Sequence, residues 1–308
     1  MNIYNSIDDF TPVKNAVVTI GTFDGVHAGH RKIIAKLREL AAEIAGETVI
    51  LTFFPHPRMI LNPEDQSLKL ITTINEKARL LDDLGIDHLI VTPFSRDFSN
   101  MSALEYIHDI LVSKIGIKKI VIGYDHRFGK DRKGGLIDLQ KLSKVYDFEV
   151  IEIPEQDIND VAVSSTKIRT ALLNDNIALA NQFLSYPFFI TGKVIRGDQI
   201  GRQLGYPTAN ILIEESYKLI PADGIFAVTV EVGNETFKGM AYIGHRPTIN
   251  GMTRNIEVNI FDFSHDIYDQ TICMNFHHFV RSDIKFTGLD ALKIQLAADR
   301  ETVLALLS

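Results

Sequence analysis

The first half of the chain alternates short apolar, β-branched runs with amphipathic stretches that have the period of a helix. The runs that we expect to be strands are Ala16–Ile20, Thr48–Phe53, His88–Thr92, Lys119–Ile122 and Glu149–Ile153. The stretches that we expect to be helices are Arg31–Ala45, Asn75–Leu84, Ala103–Lys114 and Leu136–Val145. Continuous apolar strands separated by helices are typical of a parallel sheet covered on both faces. The pattern predicts a doubly wound α/β domain, in which ligands bind at the carboxyl ends of the strands.

The second half has a different pattern. Two more helical stretches come first, Ser164–Leu173 and Ala178–Leu184. From Phe188 onwards the runs are short, alternating and separated by turns, and one hairpin is nearly explicit: Ile225–Val232, a Gly233-Asn234 turn and Thr236–Ile243. Several short strands and a final helix, Leu289–Leu307, predict a closed or partly closed β-barrel. Because Pro187 interrupts the helical pattern, we predict domains of residues 1–184 and 185–308.

Composition narrows the class of protein. The chain has 308 residues, of which 45% are hydrophobic and 23% charged, as expected for two globular domains. Its formal net charge of −7 argues against a general nucleic-acid-binding protein, which needs a basic surface. The single cysteine, Cys273, lies in an alternating apolar run, where we expect it to pack. The sequence shows neither a secretory leader nor an apolar run of membrane-spanning length, so we expect a cytoplasmic protein.

The segment after the first predicted strand carries candidate chemistry. It reads Gly21-Thr22-Phe23-Asp24-Gly25-Val26-His27-Ala28-Gly29-His30. Gly21 and Gly25 allow the backbone to turn sharply and to approach a ligand closely. His27 and His30 share one face at the positive end of a helix, where their donors suit a polyphosphate. Two capping histidines in an ordinary turn are the simpler alternative, and a zinc site would need more ligands.

This segment resembles the HxGH signature of the nucleotidylyltransferase superfamily, in the form carried by bacterial bifunctional riboflavin kinase/FAD synthetases. Three more segments resemble that family, and all of them lie at strand ends or helix starts: Phe53-Phe54-Pro55-His56-Pro57, Gly123-Tyr124-Asp125-His126-Arg127-Phe128-Gly129 and Ser164-Ser165-Thr166-Lys167-Ile168-Arg169. The resemblance implies a Rossmann-like domain that transfers the adenylyl group of ATP to FMN, giving FAD and pyrophosphate.

The resemblance also implies roles for particular residues of the first domain. Those implied to bind ATP are Gly21, Phe23, Asp24, Gly25, His27, His30, Ser164, Thr166 and Arg169, with His27 and His30 as catalytic residues. Those implied to bind the flavin are His56 and Asp125. From the residues alone, His56 could be a loop residue, Asp125 a turn former and Ser164 a helix N-cap.

The second half opens with a glycine-rich segment. Gly192, Gly197, Gly201 and Gly205 fall within fourteen residues, with basic residues between them, which suits a flexible loop over phosphates. The spacing fits neither a Walker A loop nor a Rossmann fingerprint. Thr208 and Asn210 would share one strand face and offer two oxygens to Mg²⁺. Taken without any resemblance, a glycine-rich loop before a polar strand is the simpler interpretation.

The stretch Gly201–Asn210 is similar to the GRxLGxPTAN signature of riboflavin kinases, so that the resemblance covers nearly the whole chain. It implies a kinase β-barrel with a C-terminal helix that phosphorylates riboflavin with ATP and Mg²⁺. Glu257 would accept the proton of the attacking alcohol. The residues implied to bind ATP are Gly192, Lys193, Gly197, Gly201, Arg202, Gly205, Pro207, Thr208 and Asn210, with Thr208 and Asn210 as ligands of Mg²⁺. The residues implied to bind riboflavin are Arg281 and Asp283.

The chain departs from the family pattern at several positions, which are Ala28 for Leu, His126 for Phe, His245 for Thr, Asp269 for Gly and Asp283 for Glu. Two other functions compete with the implied one: a flavin-binding regulator without turnover, and a nucleotidylyltransferase of another substrate. The regulator should lack catalytic groups such as Thr208 and Glu257, and the kinase signature argues against the other transferase. We expect ATP, riboflavin and FMN as small-molecule partners, with no nucleic acid and no membrane.

Overall fold

The computed structural model describes residues 1–65, 67–124, 126–154, 163–197, 201, 204–248 and 251–308. It divides into two compact units, Met1–Ser165 and Thr166–Ser308. The predicted α/β domain, the closed barrel and the terminal helix are all present, which confirms the predicted fold class.

A six-stranded sheet forms the centre of the first unit. Its strands are β1 (Asn2–Tyr4), β2 (Ala16–Ile20), β3 (Thr48–Phe53), β4 (His88–Thr92), β5 (Ile117–Gly123) and β6 (Glu149–Ile153). They are parallel and lie in the order β1-β4-β3-β2-β5-β6. The order reverses between β2 and β5, so the crevice at the carboxyl ends of these strands is the place where a doubly wound sheet binds its ligand. The glycine turn that carries His27 follows β2 directly.

Helices connect these strands. Those of the described ranges are α1 (Ala28–Glu43), α2 (Pro57–Leu61), α3 (Ile74–Asp83), α4 (Arg96–Ser99), α5 (Ala103–Glu105) and α6 (Leu136–Tyr146), with 3-10 turns at Ile7–Asp9 and Lys130–Arg132. The stretch predicted as one helix over Ala103–Lys114 is α-helical only in its first turn. It continues as a π-helix over Tyr106–Ile115 and ends at Gly116, whose φ of 71° is left-handed.

A closed barrel forms the centre of the second unit. Its strands are β7 (Phe188–Ile195), β8 (Ala209–Leu212), β9 (Gly224–Val232), β10 (Glu235–Thr248), β11 (Gly251–Ile260) and β12 (Thr271–Arg281). They close in the order β10-β11-β8-β7-β12-β9. The predicted hairpin is β9–β10, in which Val232 pairs with Glu235 across the two-residue turn. The last helix, α9 (Leu289–Leu306), packs on the barrel through Val303.

Two helices precede the barrel, α7 (Ser165–Leu173) and α8 (Ile177–Leu184). The carbonyl of Leu172 accepts a hydrogen bond from the backbone N–H of Ala222 at 3.1 Å. The Asn181 amide donates to the carbonyl of Phe276 at 2.8 Å and accepts from the N–H of Phe188 at 2.7 Å. Both helices therefore pack with the barrel, and the domain boundary near residue 185 stays a prediction.

Candidate active sites

The turn after β2 has the backbone that its glycines predict. Gly25 has a φ of +81°, and a Cβ there would lie 3.0 Å from Ile71 Cγ2, so both conformation and packing require glycine. Phe23 and Val26 also have positive φ values, of 45° and 37°. Strain of this kind persists only where the surroundings hold it, and both side chains are buried. The turn is therefore a rigid shape at the ligand-binding end of the sheet.

The two histidines of this turn stack on each other. Their ring centroids lie 3.6 Å apart with an interplanar angle of 15°. His27 caps α1, because its Nδ1 accepts from the backbone N–H of His30 at 3.4 Å. Burial lowers the pKa of His30 well below its usual value, and the nearby positive charges of His27 and Lys77 lower it further. His30 is therefore neutral at physiological pH, and its buried Nδ1 has no hydrogen-bond partner among the described residues.

Asp24 is 2% exposed and faces the protein interior. Its Oδ2 accepts from the backbone N–H of Ile71 at 3.1 Å, and its Oδ1 accepts from that of Thr72 at 3.2 Å. These bonds fasten the glycine turn to the segment that leads into α3. Ser165, which the motif includes but our prediction did not single out, adds another link by donating its hydroxyl proton to the carbonyl of Asp24 at 3.1 Å.

Lys77 is a residue of this site that the sequence analysis missed. It lies on α3 with 3% of its surface exposed, close enough to Asp24 and His30 for their charges to interact. The signal was present, because position 77 falls within the apolar stripe that Ile74, Ala78 and Leu81 form on that helix. A lysine in such a stripe calls for an explanation.

The other predicted residues of the first domain that the structure describes lie at the start of α2 and near the start of α7. His56 caps α2 by accepting from the N–H of Arg58 at 3.1 Å, which agrees with the simpler interpretation of a capping loop residue. Ser164 is partly buried before α7, on which Thr166 is exposed and Arg169 partly buried. Asp125 lies outside the described residues.

Aromatic side chains gather near the carboxyl ends of β3 and β4, which the motif analysis did not predict. Phe53 lies with its ring centroid 5.6 Å from that of Phe94 and 5.3 Å from that of Phe98. Phe98 in turn contacts Tyr106, whose hydroxyl is buried without a hydrogen-bond partner in the described structure. Burial raises the pKa of Tyr106 far above its usual value. The cluster forms an apolar wall beside the switch point of the sheet.

In the barrel, hydrogen bonds hold Glu257 at both oxygens of its carboxylate. Its Oε2 accepts from Thr208 Oγ1 at 2.9 Å, and its Oε1 accepts from Asn255 Nδ2 at 2.5 Å. Glu257 also pairs with Asn210 across β11 and β8. Ile256, Val258 and Ile260 are buried on one face of β11, and on the other face Glu257 is partly exposed while Asn259 is buried. The barrel thus brings Glu257, Thr208 and Asn210 together.

The glycine segment is only partly a loop. Gly197 lies directly against the amide of Asn210, where a Cβ would clash. Gly201 accepts from the N–H groups of Leu204 at 3.1 Å and Tyr206 at 2.8 Å, and Gly205 has a φ of +84°. These contacts place Gly201, the first residue of the kinase signature, close to Thr208. Arg202 lies outside the described residues.

The expectation of a flexible loop is wrong for Gly192 and Lys193, which are paired within β7. A Cβ at Gly192 would lie 2.8 Å from the carbonyl oxygen of Leu212, so this glycine allows β7 and β8 to approach closely. The ammonium of Lys193 pairs with Asp269 at 2.8 Å, which raises the pKa of Lys193.

A cavity of about 510 Å³ opens beside the signature segment. Pro207 and Thr208 line it together with Val258, Ile260 and the loop from Phe263 to Tyr268. Because Val258 and Ile260 face away from Glu257 on β11, the cavity and the carboxylate lie on different faces of that strand. Thr208 lines the cavity and also donates to Glu257, so it links the two.

Arg281 and Asp283 have partners within the protein. The Arg281 guanidinium binds the carboxylate of Asp299 on α9 through Nε at 2.9 Å and Nη2 at 2.7 Å. Asp299 is 2% exposed, so this pair fastens the last helix to the barrel. Asp283 Oδ2 accepts from the Tyr242 hydroxyl at 3.1 Å. Asp299 lies eighteen positions after Arg281, and no pattern in the sequence predicts that the two residues form a pair.

Both halves of the chain are similar in sequence to known proteins. A sequence model described as FAD synthetase matches residues 10–167, and one described as riboflavin kinase matches residues 184–307. A bifunctional riboflavin kinase/FMN adenylyltransferase of Escherichia coli (strain K12) is 36% identical over 292 residues, covering 94% of this chain and 92% of that protein. The chain belongs to the bifunctional riboflavin kinase/FMN adenylyltransferase family. A relative of the same name from Listeria monocytogenes is 37% identical, covering 96% of this chain and 93% of its own length.

A solved structure shares the fold of this family member along nearly its whole length. It is titled as a macrolide-efflux protein from Streptococcus pneumoniae and matches with a TM-score of 0.87, at 33% identity and 98% coverage of both chains. Within the part of our chain that the structure describes, no helix combines the length and apolar character needed to cross a membrane.

The departures from the family pattern have local partners. Asp269 adopts a left-handed φ of 62°, so it can take the place of a turn glycine while its carboxylate binds Lys193. His245 Nδ1 lies 2.5 Å from Asp223 Oδ2. His126 lies near Phe128, with ring centroids 5.8 Å apart. These substitutions are accommodated by contacts of their own.

Proposed function

We propose that the chain phosphorylates riboflavin with ATP in its second unit and adenylylates FMN with a second ATP in its first. The observation that carries the proposal is the pair of sites: a stacked histidine pair at the switch point, and a carboxylate bound to Thr208 in the barrel. A phosphate nucleophile and an alcohol nucleophile need these two different constellations. The product of the second unit is then the substrate of the first.

The first unit supplies charge stabilisation and positioning. The FMN phosphate is largely ionised near neutral pH, because its second pKa is about 6, so it needs no strong base to attack the α-phosphorus of ATP. His27 uses Nδ1 as a hydrogen-bond acceptor, which leaves Nε2–H as a donor to the ATP phosphates. His30 contributes beside it, and Gly21 and Gly25 admit the ligand to the backbone. Charge that develops on the departing pyrophosphate is stabilised at the helix N-terminus.

The remaining residues implied for the adenylyl-transfer site take different roles. We assign Asp24 and Phe23 to the shape of the turn, since both are buried and Asp24 is bound to Ile71 and Thr72. Ser164, Thr166 and Arg169 are proposed ATP-binding residues on the resemblance of their segment. His56 and Asp125 are proposed to bind the flavin on the same ground.

The second unit must remove a proton from the ribityl alcohol. Glu257 is proposed as the base, and its hydrogen bonds from Thr208 and Asn255 fix the orientation of the carboxylate. The alcohol oxygen attacks the γ-phosphorus, the bond to the β-phosphate oxygen breaks, and the proton passes to Glu257. We place the adenosine of ATP in the cavity beside Thr208. The segment from Gly197 to Gly205 would cover its phosphates, with Arg202 as a further cation.

Mg²⁺ fits the donors of this site. The Thr208 hydroxyl donates its proton to Glu257, so its lone pairs stay available to a hard cation, and the Asn210 amide provides a second oxygen. The described residues hold no cluster of three acidic, histidine or cysteine side chains, which suits a cation bound largely by substrate phosphates. When bound, the cation would neutralise charge on the transferred phosphoryl group.

For the riboflavin site of the barrel, the contacts favour an indirect role of Arg281, because Asp299 already binds its guanidinium. Asp283 and Tyr242 would then form the polar edge that contacts the flavin. We propose ATP, riboflavin and FMN as the substrates, with no nucleic-acid partner. We also propose a cytoplasmic location, which agrees with the single, buried cysteine because disulfide bonds are rare in cytosolic proteins.

The test is chromatographic. The purified chain is incubated with riboflavin, ATP and Mg²⁺, and flavins are separated over time. We expect FMN to appear first and FAD afterwards. FMN without FAD would contradict the role of the first unit. Bound riboflavin without either product would favour the regulator instead.

A further inference from the structure

Lys77 is a buried cation of the first unit that the proposed reaction leaves without a role. Its ammonium makes no hydrogen bond and no close ion pair with any described residue. Burial removes water from the charged amine and lowers the pKa of Lys77 to about 8. A charge that is costly to bury and lacks a direct partner indicates that an anion binds there when the site is filled.

Two neighbours of Lys77, Asp24 and His30, bear on whether an anion binds there. The Asp24 carboxylate raises the pKa of Lys77, but its oxygens are already bound to the N–H groups of Ile71 and Thr72. His30, on the other side, is neutral and has a buried Nδ1 without a partner among the described residues. The cluster therefore contains an ammonium and an imidazole, both short of hydrogen bonds, at the switch point of the sheet.

We propose that Lys77 binds the polyphosphate of ATP beside the histidine pair. This inference rests on the adenylyl transfer proposed above and adds a third element, α3, to a site otherwise built from the glycine turn and α1. The phosphate charge replaces the hydration that the ammonium loses, and it also permits the stacked histidines to donate without repelling one another. The titratable groups of the described residues whose charges act on Lys77 and His30 are Asp24 and His27, both of the glycine turn.

If Lys77 binds the phosphates of ATP, the KM for ATP should depend on pH. The ammonium binds phosphate only while it is protonated, which in the empty site holds below a pH of about 8. The KM for ATP in FAD formation should therefore rise with pH. For a group with a pKa of about 8, the charged fraction falls about tenfold between about pH 7 and about pH 9, and we expect KM to rise by up to that factor.

The experiment measures FAD formation from supplied FMN over this pH range, using the full chain and two variants. Lys77→Arg keeps its charge at every pH used, so its KM should not rise. Lys77→Met has no charge at this position, so its KM for ATP at neutral pH should be about tenfold to a hundredfold higher than that of the unmodified chain. This KM should not rise further with pH. Arg79→Met removes an exposed cation from the same helix and should behave like the unmodified chain.

Thermal unfolding of each variant shows whether its first unit, Met1–Ser165, is folded, and FMN formation shows that the second unit is unaffected. Coinciding pH profiles of the unmodified chain and Lys77→Arg would overturn the inference, as would an unchanged KM in Lys77→Met. If Lys77→Met does not fold, the comparison with Lys77→Arg decides. Absence of FAD formation in the unmodified chain would contradict the proposed function itself and is therefore distinguishable.

Discussion

Replacing Glu257 with glutamine separates catalysis from stability, because the structure shows how the variant would keep its hydrogen bonds. The amide oxygen can take the place of Oε1 and accept from Asn255. The amide NH₂ then faces Thr208, whose hydroxyl can rotate and accept instead of donating. In the opposite orientation, the NH₂ group of the new glutamine would face the NH₂ group of Asn255 without a hydrogen bond. We therefore expect the first orientation. We expect a loss of less than about 1 kcal/mol in the free energy of unfolding.

The effect on turnover should be much larger. Glutamine cannot accept the alcohol proton, and removal of a general base costs about 10²–10⁴-fold, equivalent to about 3–5 kcal/mol in the barrier. The assay follows FMN formed from riboflavin and ATP, and in parallel FAD formed from supplied FMN. The second activity should be retained, because the histidine site is untouched.

A matched control is available on the same barrel. Glu231 accepts from Asn275 Nδ2 at 3.0 Å, so Glu231→Gln alters the same kind of pair away from the site. It should leave both activities intact. Unchanged FMN formation in Glu257→Gln would remove Glu257 from the mechanism. An equal fall of both activities would show general damage and refute the reasoning about the hydrogen bonds.

Three further predictions concern other parts of the two sites. His30→Ala should lower FAD formation by about 10²–10³-fold while FMN formation is retained, as measured in the same two assays; equal losses would contradict the assignment. Gly197→Ala places a methyl group against the Asn210 amide, so FMN formation should fall at least about tenfold with FAD formation intact. Asp299→Asn leaves the Arg281 guanidinium partly uncompensated, and since its side chain is 20% exposed we expect a loss of about 2–3 kcal/mol in urea unfolding.

Hydrophobic pattern predicted the elements whose burial is continuous. Strands β2, β3, β4 and β6 have the predicted bounds. Every residue of β2 and β4 is buried, so their apolar runs have clear ends, whereas β6 is partly exposed. Strand β1 was missed because its three residues, Asn2–Tyr4, carry no apolar run and are held by pairing with β4. The π-helical Tyr106–Ile115 was predicted as α-helix, since both have one apolar face and differ only in the hydrogen-bond step.

The candidate sites were predictable where a motif is contiguous and unpredictable where partners come from afar. The histidine pair and Thr208 lie in recognisable segments. Asp299 does not, because the packing of a helix on the barrel brings it to Arg281. Asn255 lies two residues before Glu257 on the same strand, so strand alternation already places both on one face. Gly192 was assigned to a loop because glycine is common there, whereas close approach of β7 and β8 requires it.

The helices that precede the barrel have a consequence for gene fusion and domain transplantation. Leu172 and Leu184 are buried, and Asn181 joins its helix to the ends of two backbone segments of the barrel. An excised kinase that begins at residue 185 would leave the carbonyl of Phe276 and the N–H of Phe188 without these bonds and would uncover apolar surface. We therefore expect a kinase module that begins near Thr166 and keeps both preceding helices to be more stable than one that begins at residue 185.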